Sequence, residues 1–230
     1  VRPAFDGYKA ENAFIRDAAA ELSTARDAAV LVSAYDGLVP LVGEQAGGRE
    51  DDNIRAELLL HRQHTAGDGL LRARLSGFRE AMAVAAKRIP AWTLGEDGFD
   101  AVAGGLEKTY ADARRAMARA RKQRSPANLH EWRKRAKDHW YHTRLLRQIR
   151  PSAMKPHRVD ALKLSELLGE YHDLVVLEAW LLADPEKFSG TETLVPLIGR
   201  IEQRRTALEN KSFALGEKLL RARPEILCRE

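Results

Sequence analysis

The sequence has almost no cysteine and no long hydrophobic run, and each absence excludes a class of protein. Its 230 residues contain a single cysteine, Cys228, so an internal disulfide is impossible and a zinc–thiolate site is excluded. No apolar run approaches the ~20 residues that span a bilayer, and no signal peptide is recognisable. We therefore expect a cytoplasmic protein that makes no membrane contact.

Motifs that carry catalysis are also missing. There is no glycine-rich phosphate loop, no H-E-x-x-H zinc motif and no G-x-S-x-G nucleophile motif, and no pair of carboxylates is placed for acid–base work. We expect no enzymatic activity, no cofactor and no metal site. The enzymatic alternative is a metal-dependent phosphohydrolase that would use His130 or His172.

Aromatic residues make up only 7% of the chain, and strand-like alternation never persists beyond a few residues. Helical periodicity dominates and predicts an all-α fold built from long antiparallel bundle helices. Ser125 and Pro126 form a helix start, and Pro196 predicts that the last helix begins at about Thr193. The predicted helices are 9–36, 51–65, 70–89, 98–123, 126–150, 157–183 and 193–222.

Positive charge is concentrated in one segment. The net charge is +5, but 110–150 holds 13 Lys and Arg against 3 Asp and Glu, a net of +10, which leaves −5 for the rest of the chain. Such a concentration favours an anionic partner. The alternative is a solvated helical face.

Within this segment, one helix face carries what we call the basic row. At 100° per residue its members fall within about 60° of one line, and the apolar Leu129, Trp132, Ala136 and Trp140 fall on the opposite side. Cations about 5–6 Å apart repel one another, and a polyanion lying along them would offset that repulsion. Arginine would bind phosphate oxygens in a bidentate manner. The basic row consists of His130, Arg133, Lys134, Lys137, Tyr141 and Arg144.

A second basic cluster lies on the preceding helix. Arg115, Arg119 and Lys122 share one face, with Arg114 adjacent. Because only a short loop separates the two helices, we expect them to pack antiparallel and their basic faces to line one groove. The alternative is again a solvated face.

An internal repeat links two distant segments. Residues 22–31 align with 168–177 without a gap, at an offset of 146, and Arg26 takes the position of His172. The repeat predicts a duplicated fold with an N-terminal half at 1–90 and a C-terminal half at 91–230. The counterpart of the basic helix would lie before residue 1, so we expect the first helix of the N-terminal half to be missing. His172 is expected to face the groove, the alternative being a histidine satisfied by a local carboxylate.

Two motifs in order give the chain a family resemblance. His130-x-x-Arg133-Lys134-x-x-Lys137-x-x-x-Tyr141 is followed by Leu167-Leu168-Gly169-x-x-His172-Asp173-Leu174. Together they resemble the CHAD domain, the conserved-histidine α-helical domain, and the resemblance is strongest over 110–182.

The resemblance implies two pseudo-symmetric four-helix halves with a basic central groove, inorganic polyphosphate as the partner, and association with polyphosphate granules in bacteria. Carried over by position, the polyphosphate-binding residues would be Arg26, Arg114, Arg115, His130, Arg133, Lys134, Lys137, Tyr141, Arg144 and His172.

Two other partners fit a basic groove. An RNA or single-stranded nucleic-acid binding module would also be basic, but it would place exposed aromatic rings among the cations, and Trp132 and Trp140 are predicted to point away from them. A helical scaffold that receives an acidic protein is the third interpretation.

Overall fold

The computed structural model describes residues 5–38, 49–65, 68–93, 95, 98–148 and 151–222. Every regular element in these ranges is helical, which confirms the all-α fold class. Short 3-10 turns follow α4, α6 and α7. The α-helices in these ranges are α1 (Tyr8–Ala20), α2 (Ser23–Asp36), α3 (Arg49–Thr65), α4 (Asp68–Arg88), α5 (Asp100–Lys122), α6 (Pro126–Leu145), α7 (Pro151–Ala183) and α8 (Thr191–Leu219).

The predicted helix over 9–36 is two helices. The backbone N–H of Leu22 bonds to the carbonyl of Ala19 at 3.2 Å, an i to i−3 bond that tightens the chain and ends α1. Ser23 and Thr24 follow at once, and such side chains favour helix starts over helix interiors. The sequence analysis missed this start because the apolar periodicity continues through it.

Two prolines lie farther inside their helices than predicted. α7 begins at Pro151 and α8 at Thr191, so Pro156 and Pro196 each take the sixth helical position. The first four N–H groups of a helix have no partner within it, so a proline at the sixth position forfeits only one bond. The predicted starts at 157 and at Thr193 were therefore wrong. The predicted end at 150 was also wrong, because α6 stops at Leu145 and a 3-10 turn follows.

The chain divides into two compact units. One comprises 1–96 with 179–196, and the other comprises 97–178 with 197–230. The predicted duplication into halves at 1–90 and 91–230 stays a prediction.

In the first unit, charged pairs connect helices at the surface. Arg88, at the end of α4, donates hydrogen bonds to both carboxylate oxygens of Glu11 in α1, at 2.6 and 2.7 Å. The Arg88 guanidinium also lies 4.5 Å from the ring centre of Phe14. Arg55 of α3 bonds to Asp36 at the end of α2 at 2.9 Å. These contacts hold α4 to α1 and α3 to α2.

In the second unit, α5 and α6 pack antiparallel, as predicted. The Ser125 hydroxyl accepts a hydrogen bond from the backbone N–H of Asn128 at 3.3 Å and Pro126 takes the first turn, which confirms the predicted helix start. Thr109, early in α5, lies 3.1 Å from the His142 ring near the end of α6. The Trp132 ring stacks on Phe213 of α8 at 5.0 Å. α6 is thus held between α5 and α8, with one face left outward.

None of the helices in the described ranges is long and apolar enough to cross a bilayer.

Candidate functional site: a basic surface on α6

The burial of α6 follows its predicted orientation closely. Leu129, Trp132 and Ala136 are each at most 1% exposed. His139 and Thr143 complete this buried stripe. Burial of the apolar stripe fixes the rotation of the helix, so the opposite face must point toward solvent.

The basic row occupies that outward face. His130, Arg133 and Lys137 are half-buried at its edge, whereas Lys134, Tyr141 and Arg144 are exposed. From His130 to Arg144 the helical rise gives the row a length of about 21 Å. The row is therefore a continuous strip along α6.

The two motif histidines meet across the α6–α7 interface. The rings of His130 and His172 lie 4.3 Å apart between centres, tilted by 44°. The Nδ1 atom of His130 is buried and has no hydrogen-bond partner among the described residues. α7 therefore brings His172 to the first turn of the row, 42 positions away in sequence.

Arg133 also lies against α7. A Cβ atom added to Gly169 would be 3.6 Å from Nε of Arg133 and 3.9 Å from its Nη2. The Nε of Arg133 is buried without a hydrogen-bond partner in the described part of the chain. The guanidinium thus packs beside the bare backbone of Gly169, one turn of α7 before His172. The sequence analysis quoted Gly169 within the family motif but gave it no role.

His130 is held in its neutral form. Burial lowers the pKa of His130, and the positive charges of Arg133 and Lys134 lower it further, while Glu131 opposes the shift. A buried imidazole beside two cations resists a third charge. An anion bound over the first turn would reverse this effect and favour the imidazolium.

Lys134 has an exposed acidic neighbour. Its ammonium lies 2.9 Å from one carboxylate oxygen of Glu131, and the Nε atom of Arg135 lies 3.1 Å from the other. The hydrogen bond from Lys134 is the main cause of the lowered pKa of Glu131. Ion pairs at such exposed sites are worth about 0–1 kcal/mol, so Lys134 can leave Glu131 for a phosphate at little cost.

The far end of the row is aromatic as well as basic. The Lys137 ammonium lies 5.9 Å from the Tyr141 ring, and the Arg144 guanidinium lies 5.7 Å from the Trp140 ring. The Trp140 and Tyr141 rings are 4.6 Å apart. Trp140 is only half-buried, so its predicted place on the core side was wrong. At 100° per residue it lies only about 80° from His130, at the edge of the outward face.

The basic residues of α5 are divided between two of its faces. Arg119 contributes to the lowered pKa of Glu131 and so lies on the α6 side, whereas Arg115 pairs with Asp112 on its own helix. Arg114 lies about 140° around α5 from Arg119. Its charge acts instead on Tyr110, opposing the rise that burial causes in the pKa of that phenol.

The remaining predicted site residue is Arg26, whose side chain lies outside the described residues.

No three His, Cys, Asp or Glu side chains of the described residues cluster in a way that could hold a metal ion.

Comparison with known proteins adds one positive result. The CHAD domain family model matches residues 1–182, which is about four fifths of the chain and includes both histidines that meet at the α6–α7 interface. Searches of curated proteins and of solved structures gave no match. A match over so much of the sequence places this chain in the CHAD domain family.

Proposed function

We propose that the protein binds inorganic polyphosphate through the basic row and His172, without catalysing a reaction on it. The observation that carries the proposal is the meeting of His130, Arg133 and His172, where two buried nitrogen atoms have no hydrogen-bond partner among the described residues. Buried polar atoms without partners are costly, so such atoms suit a site that a ligand completes.

Electrostatics favours a polymer over a small anion. The basic row extends over about 21 Å, and its cations repel one another along that whole length. A single phosphate would relieve the repulsion at one turn only, whereas a chain of phosphates relieves it throughout. Membership of the CHAD domain family supports the same choice of ligand, because polyphosphate is the partner that the resemblance implies.

A direct titration tests the proposal. Long-chain polyphosphate would be added at several salt concentrations, with RNA and pyrophosphate as comparators. We expect polyphosphate to bind more tightly than RNA, with an affinity that falls steeply as salt rises, because each neutralised phosphate releases counterions. Equal affinity for all three ligands would refute a polyphosphate site.

A double substitution locates the site. Arg133→Ala with Lys137→Ala should weaken binding by about 100-fold or more, since each charge-assisted hydrogen bond is worth about 1.5–3 kcal/mol. The fold should persist, because both changes reduce like-charge repulsion. Lys163→Ala with Lys211→Ala is the matched control, since it removes the same charge from exposed positions on α7 and α8. Equal loss in both double variants would show that only the total charge matters.

Single-stranded nucleic acid is the second candidate, and one observation favours it. Tyr141 is 43% exposed and stands beside Lys137, while the half-buried Trp140 stands beside Arg144. Aromatic rings among cations are typical of surfaces on which bases stack. Tyr141→Ala separates the two ligands, because it should weaken RNA binding strongly and polyphosphate binding only slightly.

The absence of catalysis and the cellular location are parts of the same proposal. Incubation with polyphosphate and magnesium or manganese should release no phosphate. A fluorescent fusion of the chain should collect on polyphosphate granules, and the Arg133→Ala, Lys137→Ala variant should not.

A further inference from the structure

The contacts between α6 and α7 set the register of the two helices. His130 meets His172, and three residues farther along α6 Arg133 meets Gly169, three residues back along α7. Equal steps in opposite directions are the pattern of antiparallel neighbours. The chain passes from Leu145 to Pro151 through a short link, which agrees with this register.

Another cation lies farther back along α7. Eleven residues before Gly169 the helix reaches Arg158, next to His157, whose ring lies 5.7 Å from that of His139 on α6. At 100° per residue, Arg158 falls within about 60° of Gly169 and His172 around α7. Arg158 therefore shares the α7 face that borders α6.

The surroundings of Arg158 leave its charge available. It is half-buried at the edge of the core, and no described residue forms a hydrogen bond or ion pair with its guanidinium. The nearest acidic residue on α7, Asp160, is engaged by Lys218 of α8 at 3.0 Å. A half-buried arginine without an acidic partner among the described residues gains stability from a bound anion.

We infer that Arg158 is a polyphosphate-binding residue and that the polymer lies along the α6–α7 boundary, held by the basic row on one side and by His172 and Arg158 on the other. Ser165 shares the same α7 face between Arg158 and His172, and its hydroxyl can donate a hydrogen bond to a phosphate there. The inference rests on the proposed function and makes the site two-sided. Its two ends, at His172 and at Arg158, are 14 residues and so about 21 Å apart, which selects chains of many phosphates.

Two comparisons test the inference: long-chain polyphosphate against pyrophosphate, and variants of Arg158 against a control variant. Arg158→Ala should weaken the binding of long-chain polyphosphate by about tenfold. It should also reduce the slope of log affinity against log salt concentration by about the amount that one phosphate contact contributes. Pyrophosphate is too short to reach both ends of the boundary, so its weaker binding at the histidine end should stay unchanged. Arg158→Lys should restore part of the affinity, because it keeps the charge but not the bidentate contact.

Lys163→Ala is the control, since it removes one exposed charge from a different face of the same helix. Thermal melts would verify that each variant is folded. Equal weakening by Arg158→Ala and Lys163→Ala, or no weakening by either, would overturn the assignment of Arg158 while the proposed function stands. Failure of the unmodified chain to bind long-chain polyphosphate would overturn both.

Discussion

Acid should destabilise the protein through one buried side chain, His139. It is fully buried, and neither of its ring nitrogens has a hydrogen-bond partner among the described residues. Its neighbours are the edge of the Tyr110 ring on α5, at 5.2 Å, and the His157 ring on α7, at 5.7 Å. Burial, followed by the nearby His157 and His142, lowers the pKa of His139 to about 3.

The sign and size of this destabilisation follow from the linkage between proton binding and folding. The unfolded chain binds a proton at His139 near the ordinary pKa of 6.5, whereas the folded chain does so only near 3. Neutral His139 therefore makes its full contribution to the free energy of unfolding above about pH 6.5. This contribution is lost as the pH falls toward 3. At about 1.4 kcal/mol per pH unit the whole loss is at most about 5 kcal/mol, of which about 2 kcal/mol is lost by pH 5.

Urea denaturation at pH 7.5 and pH 5.0, followed by circular dichroism, measures this loss. His139→Leu should remove about 2 kcal/mol from the difference between the two free energies of unfolding. A smaller dependence should remain, because burial also lowers the pKa of His142 and of His157. His64→Leu, at an exposed position of α3, should leave the difference unchanged. An equal pH dependence in the parent and in His139→Leu would refute the reasoning.

Three further outcomes are expected. Gly216→Val should lower the free energy of unfolding by about 1–3 kcal/mol in urea titrations, because even a Cβ atom there would lie 2.5 Å from the Trp132 ring. An unchanged urea midpoint would contradict this close approach. Trp132→Ala should lower the free energy of unfolding by roughly 3–5 kcal/mol in the same assay, and Trp140→Ala should lower it clearly less, since of these two only Trp132 is fully buried. Equal losses would argue against this difference in packing. Polyphosphate affinity should rise between pH 7.5 and pH 6.0, because His130 gains a proton that the polymer stabilises, and His130→Gln should flatten this dependence.

The sequence predicted the buried face of α6 and its packing against α5, but not its contacts with α7. Twenty residues of regular periodicity are enough to fix which side is buried, so Leu129, Trp132 and Ala136 were placed correctly in the core. Periodicity gives no information on which helix borders the outward face. Contact between His130 and His172 depends on the packing of two helices, and no local pattern contains it.

An edge position explains the error at Trp140. This residue lies at an angle where a side chain can belong to either side of the helix, and the adjacent helix decides which. The positions of Pro156 and Pro196 were misjudged for a different reason. The rule that proline starts a helix concerns the missing N–H group, and a second-turn proline violates it at the cost of a single bond.

The hydrogen bond from Tyr110 has a consequence for the choice of domain boundaries in expression work. Its buried hydroxyl reaches the backbone carbonyls of Leu219 and Ala222, both at 3.2 Å, beyond the end of the matched family region at residue 182. A fragment cut at that limit would lack α8, leave this hydroxyl unpaired and uncover Trp132 where Phe213 stacks on it. A fragment that keeps both contacts therefore has to include all of α8 and extend to Ala222.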